Sequence, residues 1–196
     1  MDYKNFYNET LWNERCRMEP LEEKHFELLW PIAFKKEIWE FTSAKVENKE
    51  DFRRYFDAAL DEKNRKVSSP YAIFDKQANV YAGCTRFGNI SFDNKRVEIG
   101  WTWYDPIFQR TGLNKSCKHL LLSYGFEKYD LNRIELKTSH LNLKSQNAML
   151  KIGAVKEGTL RRHTINEDGF IRDTIYFSFI KEDWEEVRNR IFSEFL

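Results

Sequence analysis

Residues 97–115 decide the fold, and they read VEIGWTWYDPIFQRTGLNK. Apolar and aromatic side chains from 97 to 104 predict a strand that ends at Asp105-Pro106. Apolar residues spaced by three and four then predict an amphipathic helix over 113–129. Only a short loop that contains Gly112 joins these two elements. The stretch therefore predicts a strand that leads directly into the N-terminus of a long helix.

The loop between the strand and the helix has the chemistry of an anion site. The first backbone N–H groups of a helix have no acceptor within it and lie at the positive end of its dipole. Gly112 lets the backbone approach an anion closely, and Arg110 and Lys115 offer positive charge. The loop therefore indicates a phosphate or pyrophosphate site, although a glycine before a helix is also an ordinary turn. Neither a Walker loop nor the G-x-G-x-x-G dinucleotide fingerprint is present.

The segments around this unit alternate between helical and strand patterns. On its N-terminal side, helical spacing over 21–29 and 50–60 precedes a hairpin of strands 71–74 and 80–87. On its C-terminal side follow a strand (133–139), a helix (145–152), a hairpin (155–162 and 171–180) and a last helix (184–195). This order predicts an α/β (α+β) fold in which helices flank a mixed sheet with parallel and antiparallel pairs.

Length and composition narrow the class of protein. The 196 residues fit a single domain, 1–196, since no repeat or linker divides them. Lys+Arg 32 against Asp+Glu 31 gives a net charge of +1, which disfavours nucleic acid as a partner because phosphate binding needs a basic excess. The polar N-terminus and the lack of an apolar run of about 18–20 residues favour a cytoplasmic protein with no membrane partner. The three cysteines and four histidines show no zinc-ligand spacing, so we expect no metal.

Two motifs resemble those of a known family. Gln109-x-x-Gly112-x-Asn114 resembles the pyrophosphate-binding Q/R-x-x-G-x-G/A loop of GNAT acetyltransferases, with Asn114 where a small residue is usual. Residues 142–148, NLKSQNA, followed by Gly153, resemble the N-x-x-S-x-x-A…G element that follows the fifth strand in that family. The likeness covers about residues 10–190. It is closest to the branch of RimJ/RimL-like ribosomal-protein N-terminal acetyltransferases.

The resemblance implies an acetyl-CoA-dependent N-acetyltransferase that moves an acetyl group directly to a primary amine, on a protein N-terminus or a small molecule. In this family the mostly antiparallel sheet splays between the fourth and fifth strands, here 97–104 and 133–139, and the pantetheine arm lies in the gap. A free backbone N–H near Trp103 would then polarise the thioester carbonyl. The cofactor-binding residues that the resemblance implies are Trp103, Gln109, Arg110, Thr111, Gly112, Leu113, Asn114, Lys115, Asn142 and Ser145.

Glu98 is the candidate general base. It lies on the strand just before the expected splay, among apolar neighbours, where a carboxylate can take a proton from the attacking amine directly or through water. The alternative is a solvent-facing strand residue that pairs with Arg96 or Lys95. Both interpretations are compatible with the sequence.

Ser145 is the candidate general acid. Many members of the family use a tyrosine on the helix after the fifth strand, but Met149 occupies that place here and cannot donate a proton. Ser145 begins the same helix and can hydrogen-bond a thiolate. The alternative is that Ser145 is an ordinary N-cap, a role that Asn142 could fill equally well.

The sequence also leaves open a protein that has the same fold but no catalytic activity. Met149 and Asn114 are the departures that leave open a non-catalytic CoA-binding sensor or interaction module. A translation-associated RNA-binding protein is a third interpretation, which the charge balance disfavours. The acceptor amine is not indicated, and the aromatic content of 16% makes a homodimer an open expectation.

Overall fold

The computed structural model describes residues 3–195, in which strands and helices follow the predicted order. Its strands are β1 (Leu11–Trp12), β2 (Cys16–Pro20), β3 (Ser69–Asp75), β4 (Val80–Ser91), β5 (Arg96–Tyr104), β6 (Arg133–Ser139), β7 (Val155–Ile165) and β8 (Ile171–Ile180). Its α-helices are α1 (Phe26–Ala33), α2 (Lys49–Asn64), α3 (Leu113–Ser123), α4 (Leu143–Lys151) and α5 (Lys181–Ile191).

Within residues 3–195, the strands form one sheet in the order β1-β2-β3-β4-β5-β6-β8-β7. The β5–β6 pair is parallel, and the other neighbouring pairs are antiparallel. A parallel pair needs a crossover, and α3 supplies it between β5 and β6. The predicted mixed, mostly antiparallel sheet flanked by helices is therefore confirmed.

The sheet separates two apolar cores. One core lies on the side of α3 and α5 and takes Val97 and Ile99 from β5. The other lies on the side of α1 and α2 and includes Trp103. Because successive side chains of a strand point to opposite faces, Glu98 points to the side of α1 and α2.

The helix expected over 113–129 differs from the prediction at its C-terminal end. The regular helix α3 ends at Ser123, and a π-helical turn follows at Tyr124–Lys128. Tyr124, Gly125 and Phe126 are all buried in this turn. A Cβ at Gly125 would lie 2.6 Å from Cδ1 of Ile134, so the chain approaches β6 more closely here than another residue would allow.

The strands β5 and β6 splay apart as the resemblance implied. They pair only at Arg96–Arg133, Val97–Ile134 and Glu98–Glu135, although both strands continue beyond those residues. The register with β4 shifts by one residue just after this point, between Cys84–Trp103 and Arg86–Gly100. The extra residue forms a bulge in β5, where Trp101 has a left-handed φ of 48°. A gap therefore opens between two neighbouring strands in the middle of the sheet.

Gly83 fixes the approach of β4 to β5 beside this bulge. A Cβ at Gly83 would lie 2.0 Å from the carbonyl oxygen of Trp103 and 2.8 Å from Cα of Tyr104. We expect Gly83→Ala to lower the free energy of unfolding by about 1–3 kcal/mol or more, because the backbone of β5 must move. Urea denaturation measures this loss. Gly158→Ala is the matched control, since nothing lies within 4 Å of a Cβ there; equal losses in the two variants would contradict the prediction.

Candidate active site

Backbone N–H groups of β5 point into the gap between β5 and β6. The N–H of Asp105 donates to the carbonyl of Ala82 at 2.8 Å. Hydrogen-bonding direction alternates along a strand, so Trp103, which pairs with Cys84, also directs its amide to β4. The amide of Tyr104 therefore points away from β4, into the gap. The same alternation turns the amide of Thr102 into the gap, so free N–H groups flank Trp103.

The tryptophan side chains of β5 lie on the side of α1 and α2. The Trp103 indole is 5% exposed and donates to the hydroxyl of Tyr55 at 3.3 Å. The Trp103 side chain is thus a packing group, and its place among the cofactor contacts stays a prediction about the backbone of β5. The Trp101 ring is exposed, with the Arg86 guanidinium carbon 5.0 Å and Lys137 Nζ 5.9 Å from its centroid.

The predicted anion loop lies at the end of β5 and presents its backbone to solvent. Gly112 is the N-cap of α3 with φ +86°, and no atom lies within 4 Å of the position of a Cβ. The Thr111 hydroxyl donates to the Phe108 carbonyl at 2.8 Å, and the Ser116 N–H donates to the Gly112 carbonyl at 3.0 Å. Leu113 is fully buried and anchors the first turn. The amides of this first turn precede the helical ladder and lack acceptors within the helix.

The side chains around the loop differ in how they are held. Lys115 forms an ion pair with Glu194, so its ammonium is already neutralised by the C-terminal segment. Asn114 accepts a hydrogen bond from the Tyr104 hydroxyl at 3.2 Å, which turns its side chain towards β5. Arg110 is exposed and has a left-handed φ of 65°. Arg110 is therefore better placed than Lys115 to meet an anion.

A lysine that the motif did not single out also reaches this loop. Lys144, in the first turn of α4, donates to the side chain of Gln109. This contact joins the two motifs across the gap, although they are far apart in the sequence. The cation at Lys144 adds to the positive end of α3 and favours a polyanion there.

Glu98 lies at the last residue pair before the strands separate. It is 2% exposed, and Oε2 accepts from Asn89 Nδ2 at 2.5 Å and pairs with Lys137 Nζ at 2.9 Å. Arg96 instead pairs with Glu135, and Lys95 with Asp130. The solvent-facing alternative for Glu98 is therefore wrong. The carboxylate is buried, fixed in orientation and next to the gap.

Gly100 makes room for the Glu98 carboxylate. A Cβ at Gly100 would lie 2.9 Å from Glu98 Oε1, because the two residues share one face of β5. A second cation lies nearby: burial lowers the pKa of the Arg172 guanidinium, and the Glu98 carboxylate opposes that effect. Arg172 is 8% exposed and donates to the carbonyl of Phe41 at 3.0 Å.

The helix after β6 begins at Asn142, not at Ser145. The Asn142 side chain accepts from the Ser145 N–H at 2.9 Å and caps α4. Ser145 therefore lies in the first turn with its hydroxyl free of the capping role, and that alternative for Ser145 is wrong. Met149 packs against the core on the side of α3.

On the side of the sheet away from α3, hydrogen bonds join the α1–α2 loop to the β7–β8 hairpin. We call this set of contacts the clasp. Arg172 reaches Phe41 as described, the Glu167 N–H donates to the Ser43 carbonyl at 3.1 Å, and the Lys45 N–H donates to Glu167 Oε2 at 2.7 Å. A hollow of about 210 Å³ lies between the same loop and turn. The side of the sheet that Glu98 faces is thus bounded by a loop, a hairpin turn and a cavity.

Sequence reasoning missed Asn89, Lys137, Arg172 and Lys144. Lys137 left a signal, because Glu135 and Lys137 are the polar positions of an alternating strand and must share a face. The other three contact their partners across strands or between loops. No local pattern of residues reports such contacts.

Two comparisons identify the class to which this fold and site belong. A sequence model described as an acetyltransferase (GNAT) domain matches residues 15–155. A crystal structure of a GCN5-related N-acetyltransferase from Brucella melitensis shares the fold with a TM-score of 0.88 at 22% identity, covering 96% of this chain and 86% of that one. The chain belongs to the GNAT acetyltransferase family.

Curated relatives agree with the predicted branch. The chain is 30% identical over 93 residues to YnaD, an uncharacterized N-acetyltransferase of Bacillus subtilis (strain 168), across 47% of this chain and 54% of the relative. That alignment spans about half the length of the relative. The chain is also 23% identical over 172 residues to the ribosomal-protein-serine acetyltransferase of Escherichia coli (strain K12), across 86% of this chain and 94% of that one. The likeness to a ribosomal-protein acetyltransferase is consistent with the RimJ/RimL-like branch.

Among residues 3–195, no helix combines the length and apolar character needed to cross a bilayer. The same residues contain no group of three or more His, Cys, Asp or Glu side chains arranged to hold a metal ion.

Proposed function

We propose that this chain transfers the acetyl group of acetyl-CoA directly to a primary amine. The observation that carries the proposal is the gap between β5 and β6, which opens at Glu98 and runs towards the exposed N-terminus of α3. The anion site at the N-terminus of α3 thus continues into the gap between β5 and β6, which can hold an extended chain. Acetyl-CoA has the matching shape, since a pyrophosphate is followed by the long pantetheine arm and the thioester.

The cofactor is held by backbone amides at one end and by the gap at the other. The pyrophosphate binds the amides from Arg110 to Lys115, and Gly112 leaves the space that the phosphates need. Arg110 and Lys144 neutralise its charge. The pantetheine arm lies along β5, where the free amide of Tyr104 faces it. Asn142 uses its side-chain carbonyl for the cap and keeps its NH₂ group to donate across the gap.

The chemistry follows from the groups on either side of the gap. A backbone amide of β5 that faces the gap beyond the bulge, at Thr102 or Tyr104, donates to the thioester oxygen and stabilises the negative charge that develops there during attack. Glu98 takes the proton that the attacking amine loses, directly or through water. The ammonium of Lys137 and the amide of Asn89 hold the carboxylate in place. Ser145, freed from capping, remains a candidate to hydrogen-bond the departing thiolate.

The acceptor approaches from the side of the clasp. Glu98 points to that side of the sheet, whereas α3 begins on the other, so the two substrates meet across the gap. The name of the Escherichia coli relative favours a protein N-terminus as the first acceptor to test, with small primary amines as the alternative. A cytoplasmic location and a homodimer stay predictions; the exposed edge strand β7 is a surface at which a second copy would pair.

Isothermal titration with acetyl-CoA and with CoA tests the first half of the proposal, and release of CoA thiol with a panel of peptide N-termini and small amines tests the second. We expect micromolar binding of both cofactor forms and turnover with at least one amine. A lack of binding would overturn the proposal. Binding without turnover for any amine would favour the non-catalytic CoA-binding sensor.

A further inference from the structure

Lys118 is a buried cation that the proposed function does not yet use. It is 6% exposed, and its Nζ donates to the Thr102 hydroxyl at 3.1 Å. A buried ammonium is costly unless a carboxylate pairs with it, as Glu62 pairs with the buried Arg86 at 2.9 Å. The ionisable neighbour that acts on Lys118 is instead the thiol of Cys117. Packing alone therefore does not account for a lysine at this position.

The position of Lys118 along the gap is set by β5 and α3. The strand runs up to the anion loop, and the helix runs back down beside it. Lys118 lies five residues beyond Leu113, about 7.5 Å along the helix axis. Thr102 lies two residues before Tyr104, about 7 Å along the strand. The Lys118 ammonium is therefore level with the part of β5 that follows the bulge, beside Thr102, whose amide faces the gap.

Lys118 and Glu98 lie on opposite sides of the sheet at this level. Val97 and Ile99 belong to the core beside α3, so Glu98 faces away from that helix, whereas Lys118 belongs to it. A proton acceptor thus lies on the acceptor side of the gap and a proton donor on the cofactor side. Transfer of an acetyl group between two substrates requires one of each.

We propose that Lys118 is the general acid that protonates the departing thiolate. The inference rests on the proposed function and completes it, because Met149 leaves the usual donor position without a proton. When the tetrahedral intermediate collapses, the C–S bond breaks and its electron pair goes to sulfur. One proton passes from Lys118 Nζ to that sulfur, which leaves as CoA thiol, and the neutral amine takes a proton back from solvent. Glu98 loses the proton of the acceptor amine to solvent, so the protons balance.

The surroundings of Lys118 suit this role. Burial lowers the pKa of Lys118 to about 8. The groups that face it from the strands, Thr102 and Thr85, carry no charge. Burial holds the pKa values of Cys117 and of the nearby Tyr104 well above their ordinary range, so both stay neutral. An ammonium in this site is charged at neutral pH and has a pKa close to about 8.5, the ordinary value for a thiol, so the proton transfer is nearly balanced.

The test is the pH dependence of kcat in Lys118→Met and Lys118→Arg, with acetyl-CoA and the best acceptor amine. The protonated lysine is lost as pH rises through about 8, so wild-type kcat should fall there. We expect Lys118→Met to lower kcat about 10²-fold and to leave the Kd for acetyl-CoA unchanged. The decrease of kcat at high pH, the falling limb of the pH profile, should disappear in this variant. Lys118→Arg should move that limb to higher pH.

Two controls separate this role from a structural one. Burial also lowers the pKa of Lys63, which lies on α2 and donates to the Leu21 carbonyl at 2.9 Å, so Lys63→Met should leave the profile unchanged. Ser145→Ala tests the competing acid. An unchanged pH profile in a Lys118→Met variant that still binds acetyl-CoA would overturn the inference. So would loss of the falling limb in Ser145→Ala alone, or mass-spectrometric detection of acetyl-Lys118 as the product. A wild-type chain that does not bind acetyl-CoA would instead sink the proposed function.

Discussion

The Gly112→Trp variant is expected to lose at least about 10²-fold in affinity for acetyl-CoA, close to 2.7 kcal/mol, while the protein stays folded. The space beside Gly112 is open for at least 4 Å, so an added side chain fits the folded chain. An indole there occupies the volume in front of the first amides of α3, where the pyrophosphate must lie. A smaller effect comes from the backbone, because φ of +86° costs a residue other than glycine roughly 1–2 kcal/mol.

Gly169→Trp is the matched control for this experiment. Gly169 has φ +83° and equally open space, but it lies in the turn between β7 and β8, away from the anion loop. Both variants carry the same backbone strain, so their difference isolates the steric block. Isothermal titration with acetyl-CoA gives the two dissociation constants. Equal affinities in the two variants would show that the cofactor does not use this loop.

The Glu98→Gln variant is expected to lose about 10²–10⁴-fold in kcat at an unchanged Kd for acetyl-CoA. Glutamine keeps the size of the side chain and an oxygen that can accept from Asn89, but it cannot take a proton from the acceptor. Steady-state kinetics of CoA release, together with titration of acetyl-CoA, separate these two effects. Gly100→Ala should lower kcat by displacing the same carboxylate, since its Cβ would lie 2.9 Å from Oε1.

Glu135→Gln controls for the loss of a buried charge. Glu135 is 8% exposed, pairs with Arg96 and Arg133, and lies opposite Glu98 in the parallel register. Removing its charge disturbs the same region of the sheet without touching the proposed base. Equal losses of turnover in the two glutamine variants, or full activity in Glu98→Gln, would exclude a proton-transfer role for Glu98.

Local patterns predicted the elements of this fold well, because periodicity depends only on neighbouring residues. The strand 133–139 matches β6, and the hairpin of β3 and β4 lies where alternating runs flank a turn. The position of β8 between β6 and β7 was not predicted. That order depends on which distant strands pair, and the hairpin pattern is the same whichever of its two strands is central. The π-helical turn after Ser123 was likewise invisible, since it follows from close packing of Gly125 on β6.

The parts of the candidate site that belong to a sequence motif could be predicted. The parts that depend on how β5 pairs with its neighbouring strands could not. Gly112 and Asn142 lie at helix N-termini, as their motifs indicate. Nothing in the sequence reports the one-residue bulge in β5, which decides the backbone amides that face the gap. Lys118 carried a signal of its own, since Leu121 and Leu122 follow at helical spacing and place it on the buried side of α3.

During synthesis, the side of the site that the clasp bounds can form only later than the side proposed for the cofactor. The cofactor side is built from β5, α3 and β6, which are contiguous in the sequence and come together through short-range contacts. The clasp joins Phe41 to Arg172, 131 residues apart, and Lys45 to Glu167, 122 residues apart. During synthesis the α1–α2 loop therefore emerges from the ribosome long before its partners exist. The side proposed for the acceptor takes its final shape only after the β7–β8 hairpin has been made.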